Sequence, residues 1–101
     1  MLHRAAGSDE VWEGEMVPVR VAGRRLVLLR LDGCAHAYDD RCAHLGVPIS
    51  DGTFHRDLLI CSAHCYEYDA RSGRGVNPTN VCLVAYAVEE RDGDIFVDVA
   101  P

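Results

Sequence analysis

Cys42-Ala43-His44-Leu45-Gly46 and Cys61-Ser62-Ala63-His64 are the stretches that decide this sequence. Sixteen residues separate His44 from Cys61. Two short units thus repeat the order Cys then His, with one intervening residue in the first and two in the second. On tight loops, each unit aims a thiolate and an imidazole into one space. Facing loops would supply two sulfurs and two nitrogens. A single zinc could accept that set at about 2.0 to 2.3 Å. Common zinc modules instead pair Cys with Cys and His with His at short spacing. The C-x-H … C-x-x-H order suits a two-iron centre, one iron held by the thiolates and the other by the imidazoles.

Around these units, residues 40–79 are rich in turn signals: Gly46, Pro48, Asp51-Gly52, Ser72-Gly73, Gly75 and Asn77-Pro78. Only two strands are expected there, near Asp57 to Cys61 and Tyr66 to Ala70. Few apolar contacts would hold so many loops without a cross-link. On either side the pattern has a period of two, which marks strands. Met16 to Val21, Arg24 to Leu31 and Cys34 to Asp39 are separated by Ala22-Gly23 and Asp32-Gly33 turns. Val84, Tyr86 and Val88, then Ile95, Val97 and Val99, make a second hairpin about Asp92-Gly93. Met1 to Gly14 reads as a polar lead-in, with one short helical turn capped at Ser8-Asp9-Glu10. No longer helix is expected. The fold class is all-β, with an antiparallel sandwich or barrel base.

The 101 residues suit one domain with a modest core. Apolar residues are 49% and charged residues 26%, which excludes general disorder. Net charge is −6, and all ten basic residues are arginine. No basic run points to nucleic acid or an anionic membrane. The acidic balance serves solubility, or steers the chain toward a basic patch on a partner. Nothing resembles a signal peptide or a membrane span, so a cytoplasmic location is expected. Five cysteines fit a disulfide framework poorly. In a reducing compartment, Cys beside His reads better as metal ligation. There is no nucleophile–base set, phosphate loop or dinucleotide fingerprint, so the chain reads as a carrier and not an enzyme.

The two boxes resemble those of Rieske iron–sulfur proteins, and Gly75-Val76-Asn77-Pro78 lies where that family has a proline-containing loop over its cluster. Asp9 to Met16, Gly73 to Pro78 and Cys82 to Glu89 are similar to the Rieske ferredoxins of toluene-type diiron monooxygenases. The resemblance implies one [2Fe–2S] cluster on Cys42, His44, Cys61 and His64. It implies a base from residues 1–39 and 80–101, with an inserted cluster-binding subdomain at 40–79. The implied role is carrying single electrons from an NADH-dependent flavin reductase to the hydroxylase of a diiron monooxygenase acting on aromatics or alkenes, as a monomer. The alternatives are the ferredoxin of a ring-hydroxylating dioxygenase, a small Rieske subunit of a larger reductase, or a zinc-stabilised interaction domain.

High-potential members carry an extra cysteine in each box, where this chain has Val47 and Ala63. They also place a serine where it has Tyr66. The resemblance therefore implies a midpoint near the low end of roughly −150 to +300 mV. Tyr68 falls where high-potential members keep a tyrosine bonded to a ligand sulfur. In the family the imidazoles lie at the exposed tip, which makes His44 and His64 the electron entry and exit, with protonation coupled to redox state. Of the remaining residues, Cys34 and Cys82 read as small buried hydrophobes on strands, and Cys65 as a packing residue of its loop. His3, His36 and His55 read as ordinary surface or strand residues and Trp12 as a packing residue. Arg20, Arg24 and Arg25 read as the solvated face of the first hairpin.

Overall fold

Leu26-Val27-Leu28-Leu29 is an apolar run without alternation, the pattern of a strand covered on both faces. A computed structural model, which describes residues 1–43, 46–63 and 65–100, shows this arrangement. All four side chains are fully buried. They lie in β3 (Arg24–Leu31), which pairs antiparallel with β2 (Met16–Val21) and β4 (Cys34–Asp39). β9 (Ala85–Tyr86) completes this four-stranded sheet beside β4. The two-residue turns at Ala22-Gly23 and Asp32-Gly33 have both residues at positive φ, which matches the twist of the flanking strands.

Because side chains alternate across a strand, β3 feeds two cores. Leu26 and Leu28 pack with Ala6, Val11, Ile95, Val97 and Val99. The partners come largely from a second sheet, formed by β1 (Leu2–Gly7), β11 (Asp94–Asp98) and β10 (Val88–Arg91) in that order. Val27, Leu29 and Leu31 pack on the opposite side with Tyr38, Ile49, Leu59, Tyr68, Cys42 and Cys61. There a third sheet stands, β5 (Thr53–His55), β6 (Leu58–Ile60), β7 (Glu67–Asp69) and β8 (Gly75–Asn77), built as a simple meander. All pairings within the three sheets are antiparallel. The candidate ligands Cys42 and Cys61 are thus packed on one face of the central sheet.

The three expected strands from Met16 to Asp39 and the final hairpin are present, as is the turn at Ser8–Glu10, a 3-10 helix. Several expectations are corrected. The supposed lead-in contains β1, which pairs with β11 at the far end of the chain. Its alanines gave weak apolar contrast. Residues 84–88 do not make one strand: β9 joins the central sheet and β10 the outer one. The strands β5 and β8 were not expected, being three residues long among turn residues. Cys34 and Cys82 are exposed. Cys34 opens β4 next to a tight turn, and Cys82 makes an isolated bridge to Arg74. Trp12 is 66% exposed and holds its own turn, donating Nε1–H to the Asp9 carbonyl at 2.8 Å.

Arg30, on the Leu26–Leu28 side of β3, ties the two base sheets together. Its Nε donates to Val11 O at 2.8 Å, and its Nη atoms donate to Gly33 O, Ser8 O and both Glu90 oxygens. The Glu90 contacts, at 3.1 and 2.7 Å, are a bidentate pair with β10. Arg30 holds the Glu90 carboxyl below the usual carboxylate range. A carboxyl so depressed stabilises the fold above its unfolded value and loses that contribution as pH falls through the folded one. Replacing Arg30 by Gln should cost about 2–3 kcal/mol in urea unfolding at neutral pH, since several carbonyls and one carboxylate lose a donor. The stability gap between native protein and Glu90→Gln should close as pH drops below the ordinary carboxylate range. A constant gap down to pH 3 would contradict the pairing.

Candidate metal centre

Cys42 and Cys61 begin two loops of the same design. The Cys42 N–H donates to Val47 O at 2.7 Å, five residues on. The Cys61 N–H donates to Tyr66 O at 2.8 Å, again five residues on. In each loop the residue before the accepting carbonyl is left-handed: Gly46 at φ +71° and Cys65 at φ +55°. A left-handed residue reverses the chain tightly enough for that bond to close. Glycine fills this position freely in the first loop. Cys65 fills it in the second, with its side chain exposed, so it is not a packing residue of the loop.

The loops bring the two thiols together. Both cysteines are 2% exposed and lie in the core beneath β3. Cys61 Sγ is within hydrogen-bonding reach of Cys42. Burial, reinforced by the neighbouring thiol, pushes the Cys61 pKa up. Two adjacent buried thiols resist ionising without a cation, and a metal would favour both as thiolates. None of the five cysteines is in a disulfide.

Tyr68, on β7, is buried with its hydroxyl at this pair. The oxygen lies 3.3 Å from Cys42 Sγ and accepts the Ala43 N–H at 3.1 Å. With that acceptor role filled by the amide, the phenolic hydrogen is available to a Cys42 thiolate. Burial, and then the Cys42 contact, raises the Tyr68 pKa, so the hydroxyl stays protonated at neutral pH. Gly75-Val76-Asn77-Pro78 follows directly beside β7, with Gly75 paired to Tyr68 and Asn77 to Glu67. A Cβ on Gly75 would stand 2.2 Å from Pro78 O, so only glycine permits this close turn.

Of the four expected ligands, the structure places Cys42 and Cys61 together. His44 and His64 lie outside the described residues, as do Leu45 and Pro101. Among the described residues, no group of three or more His, Cys, Asp and Glu side chains is arranged to hold a metal. The two buried thiols with a hydroxyl donor fit a thiolate-held centre. His36 lies on β4, stacked parallel to Tyr38 at 6.5 Å; His3 lies on β1 and His55 on β5.

Asp40 was not singled out by sequence. It is 5% exposed, and its carboxylate accepts Ser50 N–H at 2.8 Å and Ser50 Oγ–H at 2.6 Å. It thereby ties the chain just before Cys42 to the 3-10 turn Ile49–Asp51 behind the first loop. Asp and Ser ten residues apart give no local pattern, so the sequence carried no usable signal.

The Rieske [2Fe–2S] domain profile matches residues 2–87. The chain belongs to the Rieske [2Fe–2S] domain family. Among its relatives is the ferredoxin component of the alkene monooxygenase system of Xanthobacter autotrophicus, 34% identical over 94 residues, covering 92% of this chain and 77% of that protein. Another is the terminal oxygenase component of carbazole 1,9a-dioxygenase from a Sphingomonas species, 36% identical over 103 residues. That match covers 91% of this chain, which spans only 27% of the oxygenase component. Among solved structures, the Sphingomonas yanoikuyae B1 ferredoxin superposes with a TM-score of 0.89 at 24% identity, covering 99% of this chain and all of that one. Its likeness shows the fold. The Rieske family assignment implies a two-iron, two-sulfide cluster here, which the paired thiols of this Rieske chain suit.

Asp40→Ala should destabilise the protein by about 1–3 kcal/mol, because the Ser50 N–H loses its buried acceptor. Thermal unfolding of the loaded protein reads this. Asp40→Asn, which keeps one acceptor, should recover part of the loss. If Asp40→Ala melts with the native protein, Asp40 does not anchor the loop.

Proposed function

We propose that this Rieske protein carries single electrons from an NADH-dependent flavin reductase to the hydroxylase of a diiron monooxygenase acting on alkenes or aromatics. The observation carrying the reading is the buried Cys42–Cys61 pair on matched loops, in a chain similar over most of its length to an alkene monooxygenase ferredoxin component. The ligands are Cys42 and Cys61 on one iron and His44 and His64 on the other. Residues 40–79 form the cluster-binding subdomain on a base of 1–39 and 80–101. The setting is cytoplasmic, the carrier a monomer without catalysis of its own.

Held by Cys42, His44, Cys61 and His64, the cluster would supply one-electron redox chemistry. The chain's residues set how readily. The Tyr68 hydroxyl, donating to the Cys42 sulfur, favours the state with more negative charge on the ligands. Core packing around Cys42 and Cys61 excludes water from the thiolates. Neutral imidazoles in place of two thiolates keep the total charge two units less negative, which raises the potential over an all-cysteine centre.

A second reading, the electron carrier of a ring-hydroxylating dioxygenase, is favoured by the likeness to the ferredoxin component of a naphthalene 1,2-dioxygenase/salicylate 5-hydroxylase system of a Ralstonia species. Reconstitution separates the two. NADH-driven alkene or toluene hydroxylation by a diiron hydroxylase and its flavin reductase should depend on added protein. If only a dioxygenase system responds, the second reading holds. Each single alanine replacement of Cys42, His44, Cys61 or His64 should abolish the visible spectrum and the EPR signal of the reduced protein. A colourless native protein with one divalent ion and no acid-labile sulfide would overturn the cluster itself.

Tyr68→Phe should lower the midpoint. If the bond is stronger in the reduced state by about 0.5–1.5 kcal/mol, its loss corresponds to roughly 20–65 mV for one electron. Voltammetry reads the shift. An unchanged or raised midpoint would show that the hydroxyl does not bond the sulfur in the loaded protein.

A further inference from the structure

The net charge of −6 conceals a local reversal. Arg20 and Arg25 are direct partners across β2 and β3, and Arg24 precedes Arg25 at the end of the same hairpin. The fold brings Arg41, sixteen positions after Arg25, to this group. The four exposed guanidinium groups line one open cavity of about 470 Å³. None of the four forms an ion pair with a carboxylate among the described residues. The acids in the cavity, Asp39 and Asp40, are otherwise engaged. Asp39 accepts the Tyr86 hydroxyl at 2.7 Å, and buried Asp40 serves Ser50.

The cavity is continuous with the first cluster loop. Arg41 immediately precedes Cys42, and its guanidinium lies over Gly46, with Nε 3.1 Å from where a Cβ would stand. Arg24 has the Tyr86 hydroxyl as a neutral partner, and like charges held together in excess of the local acids favour an anionic partner. Elsewhere Arg4, Arg30, Arg71 and Arg91 each face a carboxylate. At this flank only two carboxylates, Asp39 and Asp40, stand among four arginines, which leaves it net positive.

We propose that Arg20, Arg24, Arg25 and Arg41 form a docking surface for the acidic face of a redox protein partner. This rests on the electron-carrier reading. The cavity is shallow and open, which suits a protein surface carrying several carboxylates. Docking there sets the partner beside the loop of Cys42. It also reverses the steering expected from net charge: the partner's contact face is acidic although this chain is acidic overall.

The test uses the loaded protein and a flavodoxin, a strongly acidic flavoprotein, as probe. Flavodoxin hydroquinone gives one electron to the diferric cluster and becomes the semiquinone, and the cluster becomes mixed-valence. The second-order rate should fall as salt rises, although both proteins are acidic. Arg24→Gln/Arg25→Gln should lower the low-salt rate about three- to tenfold. Arg4→Gln/Arg91→Gln removes the same charge on the outer sheet and should change the rate less than about twofold. Equal losses in the two double variants, or a rate that rises with salt in the native protein, would overturn the proposal. Backbone NMR shifts at residues 19–26 on adding oxidised flavodoxin read docking without electron transfer. Absence of those shifts also overturns it. A protein that docks but cannot be reduced by dithionite would instead overturn the carrier reading.

Discussion

The double burial of β3 governs everything else in this molecule. A strand covered on both faces from Leu26 to Leu29 gives up solvent there, so both coverings must be supplied by other parts of the chain. The outer sheet of β1, β11 and β10 supplies one. The meander of β5 to β8, with the two cysteine loops, supplies the other. Val27, Leu29 and Leu31 touch the same cluster of side chains as Cys42 and Cys61. The cysteine pair is therefore part of the hydrophobic core, and the packing that stabilises the sheet also fixes the sulfurs.

The two sides of the sheet are held differently. Between the base sheets, Arg30 works almost as a rivet, with partners on β10 and on the segment before β2. Toward the cluster side, Tyr38 donates its hydroxyl to Ala70 O at 2.5 Å, and burial pushes its pKa up to about 12. An exposed ion-pair set, Arg71 with Asp32 and Asp57, joins turns of the two sides at the surface. Such exposed pairs contribute little individually. Apolar packing about β3 carries the cohesion, and the polar contacts select its geometry.

Much of this was legible because it is local. The hairpins at Ala22-Gly23, Asp32-Gly33 and Asp92-Gly93 announce themselves by turn chemistry and period. The cysteine boxes do so by spacing. What escaped was what only tertiary structure supplies. β1 pairs with residues near the opposite end of the chain, and its alanines give no contrast. The split of residues 84–88 between two sheets depends on where the chain crosses, which alternation does not encode. Cys34 and Cys82 have the composition of core residues but stand at a strand end and an isolated bridge. The equivalence of Gly46 and Cys65 was hidden because one of two matched left-handed positions is not glycine. Asp40 matters through a contact ten residues away, which no short motif marks.

The first hairpin closes in just two residues, Ala22 and Gly23, and projects beyond the side chains that pack on the sulfurs. Lengthening or recharging that tip would leave the buried geometry unaltered. Descendants of such a chain can therefore change the company they keep through the hairpin tip while conserving the voltage at which they work, with Arg41 the one point where the two stretches of sequence meet.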